Sequence, residues 1–484
     1  MSSEPATRTA ADDAADLQRM GYMQELLRDM GGFSNFAISF SVISILTGIP
    51  QFFGYGLKFG GPLQMVGGWW LVSIFTMTVA MAMAELASAY PTSGALYHWS
   101  TILGGRALGW FTACFNAVGQ FAVLAGIDYG LSVFIVNATG LPNQRSVLIP
   151  LYAALLFSHA LLNHIGIHVV SLLNNFSAWY HIGVVALILA ALAITGFVQP
   201  VSFLATTHAG DGYSIGYSFV VGFLMSQWTL SGYDASANVS EETQNPRKTA
   251  PWGIFLAVVI SVVFGSLLLA AVTLSVPDLE QAIAWGDGAW SEVLKARLGA
   301  RIGSFLTLLS GGAMWMCGLA AMTSASRMIY AFSRDGGLPW SRGLATISPK
   351  YRTPSNAIWA RAVLAMGLVA SVSLYSAVVS VATLGLYCSY SMPIAARLFA
   401  HLKGRDPVRG PWHLGAFSTI NAAIALAWIC FIVVVFVLPP NAAAGQALGG
   451  VFVFLSLVWI FVARQRFVGP KIEIVESSQK ESAQ

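Results

Sequence analysis

An all-α integral membrane protein with twelve transmembrane helices is the fold class this sequence predicts, and three observations predict it. Of its 484 residues, 56% are apolar and only 10% charged, whereas a soluble chain carries roughly 25% charged residues to cover a water-facing surface. Twelve stretches approach the ~20 apolar residues needed to cross a hydrocarbon core of about 30 Å. Lysine and arginine fall mostly on alternate connections, as they do on the cytosolic side of membrane proteins.

The elements follow in order. Residues 1–34 are a polar tail without the short apolar core and small-residue cleavage site of a secretory signal, so the first apolar segment is expected to stay in the mature protein. Within the tail, Leu17 to Met30 reads as a short amphipathic helix bearing Leu17, Met20, Leu27 and Met30, or as disordered chain. The spans run 35–57, 64–89, 107–136, 147–164, 169–198, 215–241, 251–276, 301–333, 355–375, 377–400, 414–438 and 446–463, and a second tail occupies 464–484. With the N-terminus inside, 20 of the 25 basic residues lie on the inner side, leaving Lys58, Arg145, Lys295, Arg297 and Arg301 outside. Both termini are therefore expected in the cytosol, with the chain in the plasma membrane.

Composition also excludes classes. The net charge is +4 with no run of five basic residues, which argues against a nucleic-acid partner. Cys114, Cys317, Cys388 and Cys430 sit singly in apolar stretches and make neither a disulfide framework nor a CxxC metal pair. No GxxxxGK[ST], HExxH or nucleophile elbow is present, so neither an ATP-driven pump nor a hydrolase is indicated, and no cofactor is expected. His159, His164 and His168 fall close together near the inner connection between spans four and five, without an acidic or thiol ligand to complete a metal site.

Two spans are interrupted at mid-depth. In the first, Thr47-Gly48-Ile49-Pro50 places a flexible residue and one without an N–H inside the helix; in the sixth, Thr229-Leu230-Ser231-Gly232 precedes Tyr233-Asp234. Unwound backbone in a bilayer needs protein, water or a ligand to satisfy it. Breaks five helices apart are what two inverted repeats, 35–200 and 215–400, produce around a solute site, with 414–463 outside the repeat.

Three motifs then carry a family resemblance. AELASAYPTSG over 84–94, GYDA over 232–235 followed by EETQNPRK over 241–248 and Pro251, and SRDGGLP over 333–339 resemble, in order, the signatures of the amino acid-polyamine-organocation transporters. MGGFSNFAISF over 30–40 is similar to the branch handling γ-aminobutyrate-like amino acids and choline. The resemblance implies the LeuT-like five-plus-five inverted-repeat fold with broken helices 1 and 6, alternating access, and symport of a small amino acid or amine. Many members carry a Gly-Ser-Gly break in the first helix, and Thr47-Gly48-Ile49-Pro50 departs from it by losing a glycine and gaining a proline.

The site residues follow from the breaks and the resemblance. Free N–H groups at a helix start favour an anion, so Gly48, Ile49 and Gln51 are the expected carboxylate donors, beside Thr47. Carbonyls near Leu46 and Leu230 suit an ammonium, and Phe52, Trp228, Ser231, Gly232 and Tyr233 flank the two breaks, with Trp228 at the place of the family's aromatic gate. Asp128 reads either as a partner of the substrate amine or as a buried structural pair. Asp234 reads as a proton-sensing residue or a cap, and Glu85 as a gating or packing residue. Alignment of Leu173-Asn174-Asn175 with proton-coupled relatives puts His181 where they carry a lysine, and a histidine titrates near physiological pH. Thr323 and Ser324 are the candidate sodium ligands, sodium being second to the proton as coupling ion. The expected partners are the small solute and the bilayer, with the chain a monomer or homodimer.

Overall fold

The computed structural model describes residues 9–371, 375–406 and 408–470, so Arg8, Lys471 and Lys480, residues 372–374 of the ninth expected span and most of the second tail lie outside it. The described residues are helical, with one isolated bridge, Met30 to Thr243, and no named strand. In chain order the helices are α1 (Ala10–Arg19), α2 (Gly32–Ile43), α3 (Ile45–Lys58), α4 (Trp69–Ala89), α5 (Ala95–Gly104), α6 (Arg106–Thr139), α7 (Arg145–Ile165), α8 (Ile167–Thr195), α9 (Ile215–Val221), α10 (Phe223–Thr229), α11 (Ala235–Asn238) and α12 (Pro246–Thr273). They continue as α13 (Leu279–Ala284), α14 (Ala289–Leu298), α15 (Ala300–Arg334), α16 (Ser341–Leu344), α17 (Ser355–Ser371), α18 (Tyr375–Leu402), α19 (Ser418–Val437) and α20 (Ala442–Val458).

Ten of the expected spans are helices long and apolar enough to cross a bilayer. The other two correspond to α17 and to the interrupted series α9, α10 and α11. Rings and branched side chains that a soluble protein would bury stand on the outer surface of the bundle: Trp179 is 66% exposed, Ile194 86% and Phe461 71%. Surfaces of this kind require lipid around them. The connection 277–300 is a helical cover, not a plain loop, since α13 and α14 pack on α3 and Trp290 meets Phe53 edge-on at 5.9 Å.

α6 forms the centre of the bundle, packed against α15 and α18. Small residues set that spacing: a Cβ on Gly119 would lie 2.7 Å from the Leu386 nitrogen, and one on Gly385 would lie 2.9 Å from the Gly119 α-carbon. In lipid, where burial gives no hydrophobic drive between helices, such close backbone approach supplies the packing. Two of the buried cations are paired with carboxylates. Arg327 donates to both Glu242 oxygens at 2.9 and 3.1 Å, and Glu85 lies 3.2 Å from Arg397. Arg361, counted with the inner-side charges above, is instead fully buried in α17.

The tail folds differently from expectation. The helix ends at Arg19, with its Leu17 buried, and residues 20–30 run on as an extended strap whose Tyr22, Leu26 and Met30 are buried while Leu27 is exposed. Helix is lost because the strap's backbone bonds elsewhere: Asp29 and Met30 N–H both donate to Glu242 O, and Met30 O accepts from Gln244. Tyr22 inserts among α5 and the end of α15, donating to Asp335 at 2.7 Å, while Arg334 lies 3.8 Å above its ring. Arg334 also grips Glu241 with two bonds of 2.9 and 3.0 Å. This knot seals the side of the molecule that carries both described chain ends.

The knot responds to acid in one direction. Burial holds the His98 imidazole below its usual value, outweighing Asp335 beside it. Burial alone would raise the Asp335 carboxyl, yet bonds from His98, Tyr97 and Tyr22 hold it below the usual carboxylate range. A base with a depressed folded value stabilises the closed form above its free value of ~6.5, and that contribution is lost as pH falls below it. Hydrogen exchange of residues 20–30, corrected for intrinsic rate, is expected to quicken by up to about tenfold per pH unit below ~6.5, and His98→Gln to flatten that dependence.

Candidate functional site

The first break lies at Ser44, three residues before the expected Thr47. Ser44 takes a left-handed conformation (φ 34°, ψ 85°), ending α2 and starting α3, so Thr47, Gly48, Ile49 and Pro50 belong to the first turns of α3. Tertiary contacts hold it there. Ser44 Oγ bonds Thr47 Oγ1 at 2.6 Å and His181 Nε2 at 2.7 Å. Gly48 is consequently not a free donor, because its N–H donates to Ser44 O at 3.1 Å. The leading amides of α3 are those of Ile45 and Leu46, and the partial positive charge of a helix start gathers on them. Gly48 has a steric role instead: its Cβ would fall 2.3 Å from Thr229 Oγ1 and 2.6 Å from the Thr229 α-carbon, so only glycine lets α3 and α10 cross.

The second break is where the sequence puts it. α10 ends at Thr229, α11 starts at Ala235, and Gly232 between them has φ +85°. Its N–H donates to Tyr390 Oη at 3.2 Å, and Tyr390 donates in turn to Asp234 at 2.6 Å. Leu230 O accepts from Tyr387 at 3.4 Å, and Ser231 caps Trp228 O at 2.8 Å.

Between the breaks is a small cradle lined by Thr47, Gly48, Gln120, Trp228, Ser231 and Gly232, with Cys317 and the apolar Val42, Ile127 and Leu386 completing it. It holds about 10 Å³ of free space, too little for an amino acid. Above it, on the side away from the chain ends, opens a vestibule of about 730 Å³ lined by Gln51, Phe52, Tyr55, Tyr129, Trp285, Asp287 and Glu292, among others. Phe52, Gln51 and Trp228 form the partition. Trp228 donates to Gln51 Oε1 at 3.3 Å, its ring lies 6.4 Å from Phe52, and Phe52 itself interrupts α3 (φ −117°, ψ 15°).

The other candidates divide. His181 meets the first break directly; its Nδ1 donates to Ser177 O at 2.8 Å, and its Nε2 shares a hydrogen bond with the Ser44 hydroxyl. Asp234 and Tyr233 lie behind the second break, fully buried. Ile49 is buried outside the cradle lining. Asp128 does not face the cradle: its neighbour Ile127 does, while the carboxylate turns away to His159 Nδ1 at 3.2 Å. Glu85 lies near the chain-end side, against Arg397 and Ser418. Thr323 is committed to Asn163 at 2.8 Å and Leu319 O at 2.9 Å, and Ser324 receives Asn238 at 2.9 Å, so neither reaches the cradle. The three expected neighbours His159, His164 and His168 separate, with His164 edge-on to Tyr351 and His168 on Asp29.

Sequence reading missed Ser44, Gln120, Tyr387 and Tyr390. The tyrosines carried a signal, a pair three residues apart on an apolar helix, which places two polar hydroxyls on one face. Ser44 carried none.

A family model described as amino acid permease matches residues 30–462. The chain is 37% identical to "Amino-acid permease BAT1" of Arabidopsis thaliana, covering 94% of this chain and 95% of that one, and 38% identical to its homolog in Oryza sativa subsp. japonica with the same coverage. It is 28% identical to a "GABA-specific permease" of Saccharomyces cerevisiae, over 89% of this chain and 79% of the other. With the two facing helix breaks, the partition over them and a match along nearly the whole sequence, the chain belongs to the amino acid permease family of the amino acid-polyamine-organocation transporters.

Proposed function

We propose that this permease is a proton-driven importer of a small zwitterionic amino acid, γ-aminobutyrate first, that works by alternating access between two inverted five-helix repeats in the plasma membrane with both termini cytosolic. The observation that carries the reading is the cradle itself, closed over by Trp228 between two broken helices. Its lining presents hydroxyls, a thiol and a carboxamide but no ionised side chain, and the leading amides of α3 at Ile45 and Leu46 lie in sequence between the lining residues Ile43 and Thr47. A net-neutral solute therefore enters without leaving a buried charge unpaired, while a polyamine would leave several. The carboxylate would take the Ile45 and Leu46 amides, and the ammonium the carbonyls of the second break. A competition panel in proteoliposomes tests this: γ-aminobutyrate and neutral amino acids are expected to compete with labelled γ-aminobutyrate better than choline or spermidine. Competition by sugars or inorganic anions alone would sink the reading.

The coupling residues proposed are His181 and then Asp234, because each bonds to a break. A proton gained or lost at His181 Nε2 switches that nitrogen between donor and acceptor, so it reverses the hydrogen bond to Ser44 and turns the Ser44 hydroxyl toward or away from Thr47 at the break. His181→Ala is expected to remove the stimulation by an inward proton gradient, up to about tenfold per pH unit, while exchange of labelled solute persists. Sodium dependence with no response to the proton gradient would refute this coupling.

A further inference from the structure

We propose that Asp128, His159 and Arg361 form a second, buried proton-binding site in the wall behind the cradle, distinct from His181 and Asp234. The inference goes beyond the transport reading and needs it only for an uptake measurement.

Each of the three residues is fully buried, and they come from α6, α7 and α17. Asp128 Oδ2 lies 3.2 Å from His159 Nδ1, and Arg361 lies within electrostatic reach of both Asp128 and Tyr152 while donating to Gln120 O at 2.8 Å. Four polar atoms of the group have no hydrogen-bond partner: Asp128 Oδ1, His159 Nε2, and Nε and one terminal nitrogen of Arg361. Buried polar atoms are rarely left so, and each one calls for a reason. The helix carrying Gly318 packs directly against the pair, which only the lack of a side chain there allows. A Cβ on Gly318 would fall 2.5 Å from both Asp128 Oδ1 and His159 Cε1.

The chemistry favours a proton over other ligands. Asp128 and Arg361 balance, so the group is neutral when His159 is neutral. Nδ1–H donating to the carboxylate leaves the imidazole lone pair on Nε2, which is the atom without a partner. One proton from water adds there to give imidazolium, Asp128 stays ionised, and the net charge rises from zero to one. Two cations then share one carboxylate in a sealed interior, which favours a different helix arrangement over this one. No other ionised group offsets the change. Arg327, on α15, is tied to Glu242 and Asn163; Tyr152 on α7 donates to Ala365 O; Tyr180 on α8 donates to Leu309 O; Trp315 on α15 is neutral.

The site can bias the cradle because it shares both walls with it. Ile127 and Gln120 line the cradle on α6, next to Asp128 and at the Arg361 contact, and Cys317 lines it beside Gly318. Cys317 Sγ donates to Val42 O at 3.2 Å, two residues before the first break. A displacement of the His159–Asp128 pair against Gly318 therefore reaches the break through one side chain.

Trp315 provides a readout that needs no solute, since its ring lies 5.3 Å from the His159 ring and imidazolium quenches nearby indole fluorescence. In purified protein, the wild-type signal minus that of Trp315→Phe is expected to be quenched on acidification. His159→Gln should abolish that quenching. Asp128→Asn should weaken the quenching reached at a given acid pH, and Arg361→Gln, which leaves Asp128 on His159, should strengthen it. The opposite signs keep the test informative if one variant does not fold. A Trp315 signal that does not titrate, or that titrates unchanged in His159→Gln, overturns the site. In proteoliposomes with labelled γ-aminobutyrate, His159→Gln should lose the proton-gradient stimulation and keep exchange; full stimulation would overturn its coupling role. If no solute on the panel is carried, the transport reading fails and the fluorescence result still decides the proton site.

Discussion

Arg327→Met is expected to destabilise the protein by about 3–5 kcal/mol, because it strands Glu242 as an uncompensated charge with no access to water. The pair is fully buried on both sides and joined by two bonds. The arginine also holds Asn163 at 3.2 Å, so the loss extends into α7. Thermal unfolding in detergent would measure it. The double variant Arg327→Met/Glu242→Gln should recover much of the loss, since removing both charges eliminates the desolvation problem. A single variant as stable as the parent would show that water reaches Glu242 and that the knot near the chain ends is looser than described.

Gly48→Ala is expected to lower uptake of the transported solute by about 5-fold to 150-fold, the rate equivalent of the 1–3 kcal/mol that overpacking costs. The added methyl meets three atoms of Thr229, 2.3 to 2.7 Å away, at the crossing of α3 and α10. Separating those helices moves both halves of the cradle, whereas the rest of the bundle has no reason to unfold. Expression and thermal stability should therefore change less than transport. Thr229→Ala in the same chain removes the nearest of the three atoms and should restore part of the activity; the backbone of residue 229, at 2.6 Å, still stands in the way and limits recovery. Normal uptake by Gly48→Ala alone would mean that the crossing opens during the cycle.

Much of this protein was legible in its sequence because the bilayer leaves few choices. A chain with 10% charge and long apolar runs satisfies its backbone in helices, and a cluster of glycine, proline and hydroxyl residues at mid-depth marks a candidate break. The sixth-helix break was found to the residue, since Gly232 needs a positive φ that its lack of a Cβ permits. The motifs over 84–94, 232–248 and 333–339 pointed to the family that the full-length match establishes.

Side-chain partners decided the rest. Ser44 is a poor choice for a left-handed residue by its own preference, and it adopts that conformation because Thr47 and His181, one of them 137 residues away, bond its hydroxyl. Pro50, which drew the expected break toward itself, falls within α3, where its missing N–H leaves the Leu46 carbonyl without an i−4 donor and does not end the helix. Asp128 likewise shares α6 with Ile127, and the turn of the helix points one into the cradle and the other toward His159. A sequence fixes the angle between neighbours on a helix, about 100°. Which of them faces the solute depends on how α7, α15 and α17 pack around that helix, and this is set by contacts hundreds of residues apart that no local pattern encodes.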